Sequence, residues 1–134
     1  YVGEDSIVQL LMEDTSIRQC TSLWDQLGNA LIGIGRGDTV DTKDPHFLAA
    51  LDAVGRSRVA AAVCGWFVDG EGNAIKGRNT TSVNVDQLKK ARNVIAIAGG
   101  KRKARAILAV LRGKFVTHLV TDEDVAREIL FMQS

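Results

Sequence analysis

Apolar and polar positions along this chain fall into two alternating rhythms. "SIVQLLM" (6–12) sets Ile7, Leu10 and Leu11 at helical spacing, and "TSIRQCTSLWDQL" (15–27) repeats it with Ile17, Cys20 and Trp24. "ALIGIG" (30–35) is a short apolar run closed by glycines and predicts a buried strand. Residues 36–45, with Gly37, Asp38, Asp41, Asp44 and Pro45, predict a loop, and "HFLAALDAV" (46–54) a short helix. "RVAAAVCGWFV" (58–68) predicts strand in part. "DGEGN" (69–73) supplies turn chemistry before a second short strand, as in a hairpin. "SVNVDQLKKA" (82–91) predicts a helix with Val85 and Leu88 inward.

The last third has the clearest pattern. Two apolar runs, Val94–Ala98 and Phe115–Val120, flank a segment with Ala104, Ile107, Leu108 and Leu111 on one helical face. Runs apolar throughout suit parallel strands covered on both sides. The unit is β-α-β, whose crossover is right-handed as a rule. Gly113 follows the helix as a C-cap, and Thr121 is placed to cap a final helix from 122. Asp122, Glu123 and Asp124 there complement the helix dipole, and Val125, Ile129 and Leu130 face inward. The expected fold is a three-layer, Rossmann-like α/β arrangement with a mainly parallel sheet.

Charge changes this picture in one place. The chain of 134 residues has a net charge of only +1, and 46% of it is hydrophobic, an ordinary profile for one globular domain. The charge is unevenly spread. Residues 1–86 carry 12 acids and 7 bases, residues 87–121 carry 9 bases and no acid, and residues 122–134 carry 4 acids and 1 base. A weak overall charge argues against a dedicated nucleic-acid module, and the basic block has no interleaved aromatics for stacking bases. The block is concentrated in "AGGKRKAR". Lys101, Arg102, Lys103 and Arg105 open a helix at the end where cations are disfavoured unless an anion meets them. The alternative is a solvated helix face. Ligands of open parallel sheets bind beyond the carboxyl ends of the strands, where Gly99 and Gly100 fall. Glycines there admit a ligand to the backbone, and helix N–H groups then face it. The spacing is neither G-x-x-x-x-G-K-[ST] nor G-x-G-x-x-G.

Cys20 and Cys64 have no metal-ligand spacing. No metal or cofactor is implied, and a reducing, cytoplasmic setting is expected. No apolar run is long enough to cross a membrane as a helix. A chain starting at Tyr1, not Met, reads as a piece of a longer protein.

Taken together, "NVIAIAGGKRKARAILAVLRGKFVTHLVTDEDVAREIL" resembles the end of the effector-binding domain of SorC-type transcriptional regulators, relatives of the DeoR-type sugar regulators. The family ends with an apolar strand, a GGxxK turn, an A-I-x-A-x-L helix, another strand, and TDE before an apolar helix. These correspond to Gly99, Gly100 and Lys103; Ala106, Ile107, Ala109 and Leu111; and Thr121, Asp122 and Glu123. "ALIGIG" resembles the family's V-G-I-G strand. "AVCGWFVDGEG" resembles its G-x-x-x-x-F-D-x-x-G segment through Gly65, Asp69 and Gly72.

The resemblance implies a bacterial sensor of a sugar or sugar phosphate, similar in fold to glucosamine-6-phosphate isomerase, ribose-5-phosphate isomerase and coenzyme A transferase. It implies no enzymatic activity. Operator DNA would be bound through a separate N-terminal domain, and the protein would be a homo-oligomer without membrane attachment. Residues 1–134 would form the C-terminal part of the effector domain. The family's helix-turn-helix and main phosphate-cradling loop precede this segment, so about half the pocket is expected here. The competing reading is a phosphosugar isomerase-like enzyme, which needs a positioned acid–base set that the sequence does not present.

The candidate effector residues are Lys103, Asp69, Gly99 and Gly100, with no catalytic or metal-binding residue. Lys103 matches the family lysine that faces the effector, while Lys101 and Arg102 fall at variable places. Asp69 can accept hydrogen bonds from a polyol or serve as a plain turn aspartate. Asp122 is assigned to the helix start. His118 reads as a strand residue and His46 as isolated. Trp24 and Trp66 read as packing residues, and Arg78 could reach an anion from a polar loop.

Overall fold

The computed structural model describes residues 4–38, 45–75 and 81–133. Arg78 and most of the expected 36–45 loop lie outside the described residues. Helices α1 (Asp5–Glu13) and α2 (Thr15–Thr21) open the chain, and a 3-10 segment, Ser22–Gln26, follows. Asp14 ends the first helix and caps the second, its side chain accepting from the N–H groups of Ser16 and Ile17. Helix α3 covers Pro45–Val54, α4 Val85–Lys90, α5 Ala104–Arg112 and α6 Glu123–Gln133. Asn84 and Gln87 close a reciprocal capping box at α4, which explains its start three residues later than the sequence pattern suggests.

Among the described residues seven strands form: β1 (Asn29–Gly33), β2 (Gly35–Arg36), β3 (Val59–Val63), β4 (Trp66–Asp69), β5 (Ala74–Ile75), β6 (Asn93–Ile97) and β7 (His118–Val120). They form two sheets. β1, β6 and β7 make a parallel sheet in that order, with Ala30 opposite Val94 and Ile95 opposite His118. β6–α5–β7 is thus the expected parallel unit. The other four strands form an antiparallel sheet in the order β2-β3-β4-β5.

"ALIGIG" is therefore two strands. The chain leaves the parallel sheet at Gly33, buries Ile34 in the core, and enters the antiparallel sheet at Gly35. "AVCGWF" is also broken. Cys64 and Gly65 both have positive φ, 48° and 79°, and make a two-residue hairpin turn between Val63 and Trp66. The apolar character of the run hides this turn, since cysteine is no usual turn residue. Burial raises the Cys64 thiol pKa.

The main core lies between the sheets. Helix α5 buries Ala104, Ala106, Ile107, Leu108, Ala109 and Val110 in one cluster with Val94 and Ala96 of β6 and Ala61, Val63 and Val68 of the antiparallel sheet. A second cluster lies under α3, where Leu51 packs with Val59 and Phe67, and the Phe47 ring meets Phe67 edge-on. The antiparallel sheet is thus covered on both faces. The parallel sheet is not. Val94 and Ala96 point inward, while Leu31, Ile97 and Val120 are 70%, 55% and 54% exposed. This differs from the expectation of strands covered on both sides. Leu130 is also exposed, whereas Val125 and Ile129 face the core as expected.

Gly113 does follow α5, but in right-handed conformation, and the left-handed residue is Lys114 at φ 54°. Glycine is needed at 113 for room. A Cβ there would lie 2.2 Å from the Phe115 ring and 2.4 Å from the Gly72 carbonyl oxygen.

Candidate anion-binding site

The carboxyl end of β6 runs into Gly99 and Gly100, then a 3-10 turn at Lys101–Lys103, then α5. Local geometry requires both glycines. Gly100 has φ 94°, which disfavours any side chain. A Cβ on Gly99 would sit 2.7 Å from Oδ2 of Asp122. That carboxylate is the organising group of the turn. Its Oδ2 accepts from the Gly100 N–H at 2.6 Å, and its Oδ1 accepts from the Val125 N–H at 2.9 Å. These hydrogen bonds, Gly100 first, hold the Asp122 carboxyl below its ordinary range. Asp122 thus caps α6 and ties β7's exit to β6's exit. Thr121, expected to cap, leaves its hydroxyl without a partner among the described residues.

Three cations of the stretch, Lys101, Arg102 and Lys103, stand at the turn. Lys101 leans on Glu128 of α6 at 3.2 Å. Lys103, half-buried, lines a recess of about 220 Å³ with Gly99, Gly100, Lys101, Arg102 and Arg36. Arg36 arrives from β2, just past the carboxyl end of β1, so two adjacent parallel strands deliver the site. Among the described residues, the N–H groups of Lys101 and Arg102 have no hydrogen-bond partner, while that of Lys103 bonds back to Gly100 at 2.8 Å. Two free backbone donors and several side-chain cations therefore border one recess. Such a set has the chemistry to receive and orient an anion.

Asp69 is not brought to this place. Its Oδ1 accepts from the N–H groups of Glu71 and Asn73, and its Oδ2 from the Asn73 amide. The Asn73 side chain is the main cause of its lowered pKa. The turn it organises rests on the far end of α5, where Arg112 donates to the Gly70 carbonyl at 2.8 Å and Gly72 abuts Gly113. Lys103 precedes the first residue of that nine-residue helix, so roughly 13 Å of helix separates the two places. The oxygens of Asp69 serve the turn, which lies at the end of α5 away from Lys103.

Trp66 donates its indole N–H to the Val83 carbonyl at 3.0 Å, as a packing residue does. His118 lies on β7 with Nδ1 2.8 Å from the Thr117 hydroxyl. Arg36 escaped the sequence reading. Its signal is positional: a cation just after the strand that neighbours β6, at the same sheet edge.

The family model described as "Putative sugar-binding domain" matches residues 1–131. The transcriptional regulator LsrR of Klebsiella pneumoniae subsp. pneumoniae is 27% identical, over 99% of this chain and 44% of that protein. The sorbitol operon regulator of Klebsiella pneumoniae is 30% identical, over 90% of this chain and 40% of that protein. The chain spans less than half the length of these two relatives. The crystal structure of the probable sor operon regulator from Shigella flexneri superposes with a TM-score of 0.82 at 29% identity, over 95% of this chain and 51% of that one.

Proposed function

The chain belongs to the sugar-binding domain family, and from that membership we propose that it senses a small anionic sugar on behalf of a bacterial DNA-binding regulator. The observation that carries this reading is the Gly99–Lys103 turn at the carboxyl edge of the parallel sheet. Asp122 fixes the turn, two backbone donors stay open, and Lys103 supplies charge. The effector is a sugar or sugar phosphate whose anionic group sits in that recess. Operator DNA is bound outside these residues, through another domain of the regulator. The working form is a homo-oligomer in the cytoplasm. Among the described residues, no helix is long and apolar enough to cross a membrane.

Binding without turnover is the accompanying proposal. Both relatives above carry the names of regulators. The recess is lined by glycines and cations, and general acid–base chemistry would need a carboxyl or imidazole within reach of the sugar.

Calorimetric titration of the full-length regulator with a panel of sugar phosphates tests the reading. Lys103→Ala is expected to weaken binding by about 1–3 kcal/mol, the range for a charge-assisted hydrogen bond. Lys101→Ala, whose lysine is held by Glu128, is expected to weaken binding less than Lys103→Ala does. Equal affinity in all three proteins would return the stretch to a solvated helix face. Incubation with the same panel should release no isomerised product.

A further inference from the structure

A cleft of about 370 Å³ lies where the N-terminal helices meet α4. Helix α2 and the 3-10 segment Ser22–Gln26 form one wall with Arg18, Trp24 and Asp25. Ser82, Asn84 and Gln87, at and before α4, form the other. The volume falls within the range of small-molecule sites. The 3-10 segment leads into the amino end of β1 and α4 into that of β6, whereas the anion recess follows the carboxyl ends. The two places share no lining residue.

Trp24 sets this cleft apart. No residue of α2 or of the 3-10 segment is buried, and Trp24 joins neither core cluster. Its indole is half-buried against the cleft and not packed in the interior. Trp66 offers the contrast, because the Val83 carbonyl takes its N–H. The Trp24 N–H has no hydrogen-bond partner among the described residues. An indole on a cleft wall is a flat apolar surface with one polar edge.

The polar groups around it are held in place. Gln87 bridges the walls: its Nε2 donates to Asp25 Oδ1 at 2.7 Å, and its Oε1 accepts from the Asn84 N–H at 3.0 Å. Asn84 Oδ1 in turn accepts from the Gln87 N–H at 2.8 Å. These bonds occupy one end of each side chain. Asp25 Oδ2 remains as an acceptor and the Asn84 Nδ2 amide as a donor, both without a partner among the described residues. Arg18 and Asp25 are the one cation and the one anion of the lining, so the cleft carries no net charge. It has no preference for an anion and suits a ligand whose polar groups are hydroxyls, which donate and accept.

We propose that this cleft binds an uncharged pyranose, with its C–H face stacked on Trp24 and its hydroxyls bonded to Asp25 and Asn84. The site stands apart from the anion recess and from the sensing function assigned to it. A pyranose chair covers an indole with a face of C–H groups, while its rim hydroxyls reach carboxylate and amide groups. Side chains already fixed by hydrogen bonds lower the ordering cost of binding.

The test is calorimetric titration of the full-length regulator with the methyl glycosides of glucose, galactose and N-acetylglucosamine, which keep the ring closed. Mannitol, a polyol without a ring face, is the comparison. At least one glycoside is expected to bind in the millimolar range, and mannitol more weakly. Trp24→Ala is expected to weaken that glycoside about tenfold or more, and Trp24→Phe, which keeps a ring, less. Asp25→Ala should also weaken it. Lys103→Ala should leave it within about twofold. The fluorescence difference between wild type and Trp24→Phe isolates the Trp24 signal, and the glycoside should shield that signal from acrylamide. Absence of binding by every glycoside overturns the proposal. Binding that Lys103→Ala removes and Trp24→Ala leaves would put the sugar in the anion recess and overturn it too. Trp24 already shielded from acrylamide without ligand would show another segment of the regulator filling the cleft, with the same consequence.

Discussion

The Gly100 N–H and the Asp122 carboxylate meet at 2.6 Å, and the same carboxylate receives the Val125 N–H at 2.9 Å. One side chain therefore fixes the loop after β6 and starts the helix after β7. Asp122→Ala is expected to lower the melting temperature by about 5 °C, the size of a lost helix cap in a chain of this length. It should also weaken effector binding, because the donors at 101 and 102 lose their anchor. Thermal melts and titrations of the same preparation read both effects.

Gly99→Ala and Asp122→Ala should not add. A Cβ at 99 presses on Asp122 Oδ2, so the alanine damages the turn chiefly by displacing that carboxylate. In the Asp122→Ala background the contact is gone. Gly99→Ala is then expected to cost much less than in the wild type, as a four-protein melting cycle would show. Full additivity would detach the glycine from the carboxylate.

Gly72→Ala and Gly113→Ala should destabilise without touching the effector. A Cβ on Gly72 would lie 2.3 Å from the Gly113 nitrogen, at φ 91°. Both contacts involve backbone or a buried ring, so relaxation is limited. About 2–4 kcal/mol of stability is expected to go in each case, read by urea denaturation. Sugar affinity at the other end of α5 should remain.

Stability should decline in acid through Asp69 and Asp122. Hydrogen bonds lower the folded-state pKa of both. A carboxyl with a depressed folded pKa adds stability above its unfolded value, near 4, and loses it as pH falls through the folded value. Urea midpoints should be flat between about pH 7 and pH 5 and fall below about pH 4. Asp69→Asn should give a lower plateau and a shallower fall, with sugar affinity unchanged at pH 7.

The open face of the parallel sheet should make residues 1–134, prepared alone, associate. Leu31, Ile97 and Val120 are exposed there on three neighbouring strands. Sedimentation is expected to show species larger than the monomer, and a Leu31→Thr/Ile97→Thr/Val120→Thr variant should shift toward monomer at the same concentration. A monodisperse wild-type monomer would show that this face needs no cover.

The parallel unit was legible because its signals agree. Val94–Ala98 and Phe115–Val120 are apolar, the segment between them has a single 3.6-residue pattern, and glycines mark both its ends. The place of Lys103 between strand and helix was legible through GGxxK. Other features lay beneath the pattern. Cys64 and Gly65 form a turn inside an apolar run, which periodicity cannot divide. Ile34 passes between sheets without a break in hydrophobicity. Aspartate serves a turn and a polyol through the same two oxygens, so the sequence leaves both roles open for Asp69, and the donors from Glu71 and Asn73 are seen only in the fold. Arg36 stands 67 positions before Lys103, and its role depends on β1 lying beside β6.

Helix α5 touches both antiparallel and parallel strands through side chains as small as Ala104, Ala106 and Ala109. Small flanks leave no slack for the helix to bend or repack, so it must move, if at all, as a stiff rod. Its first turn borders the anion recess, and its last turn bears on Gly72 and the hairpin around it. Whatever meets the first turn of α5 therefore shares one nine-residue helix with the Gly72 turn, and the two places are opposite ends of a single packed element.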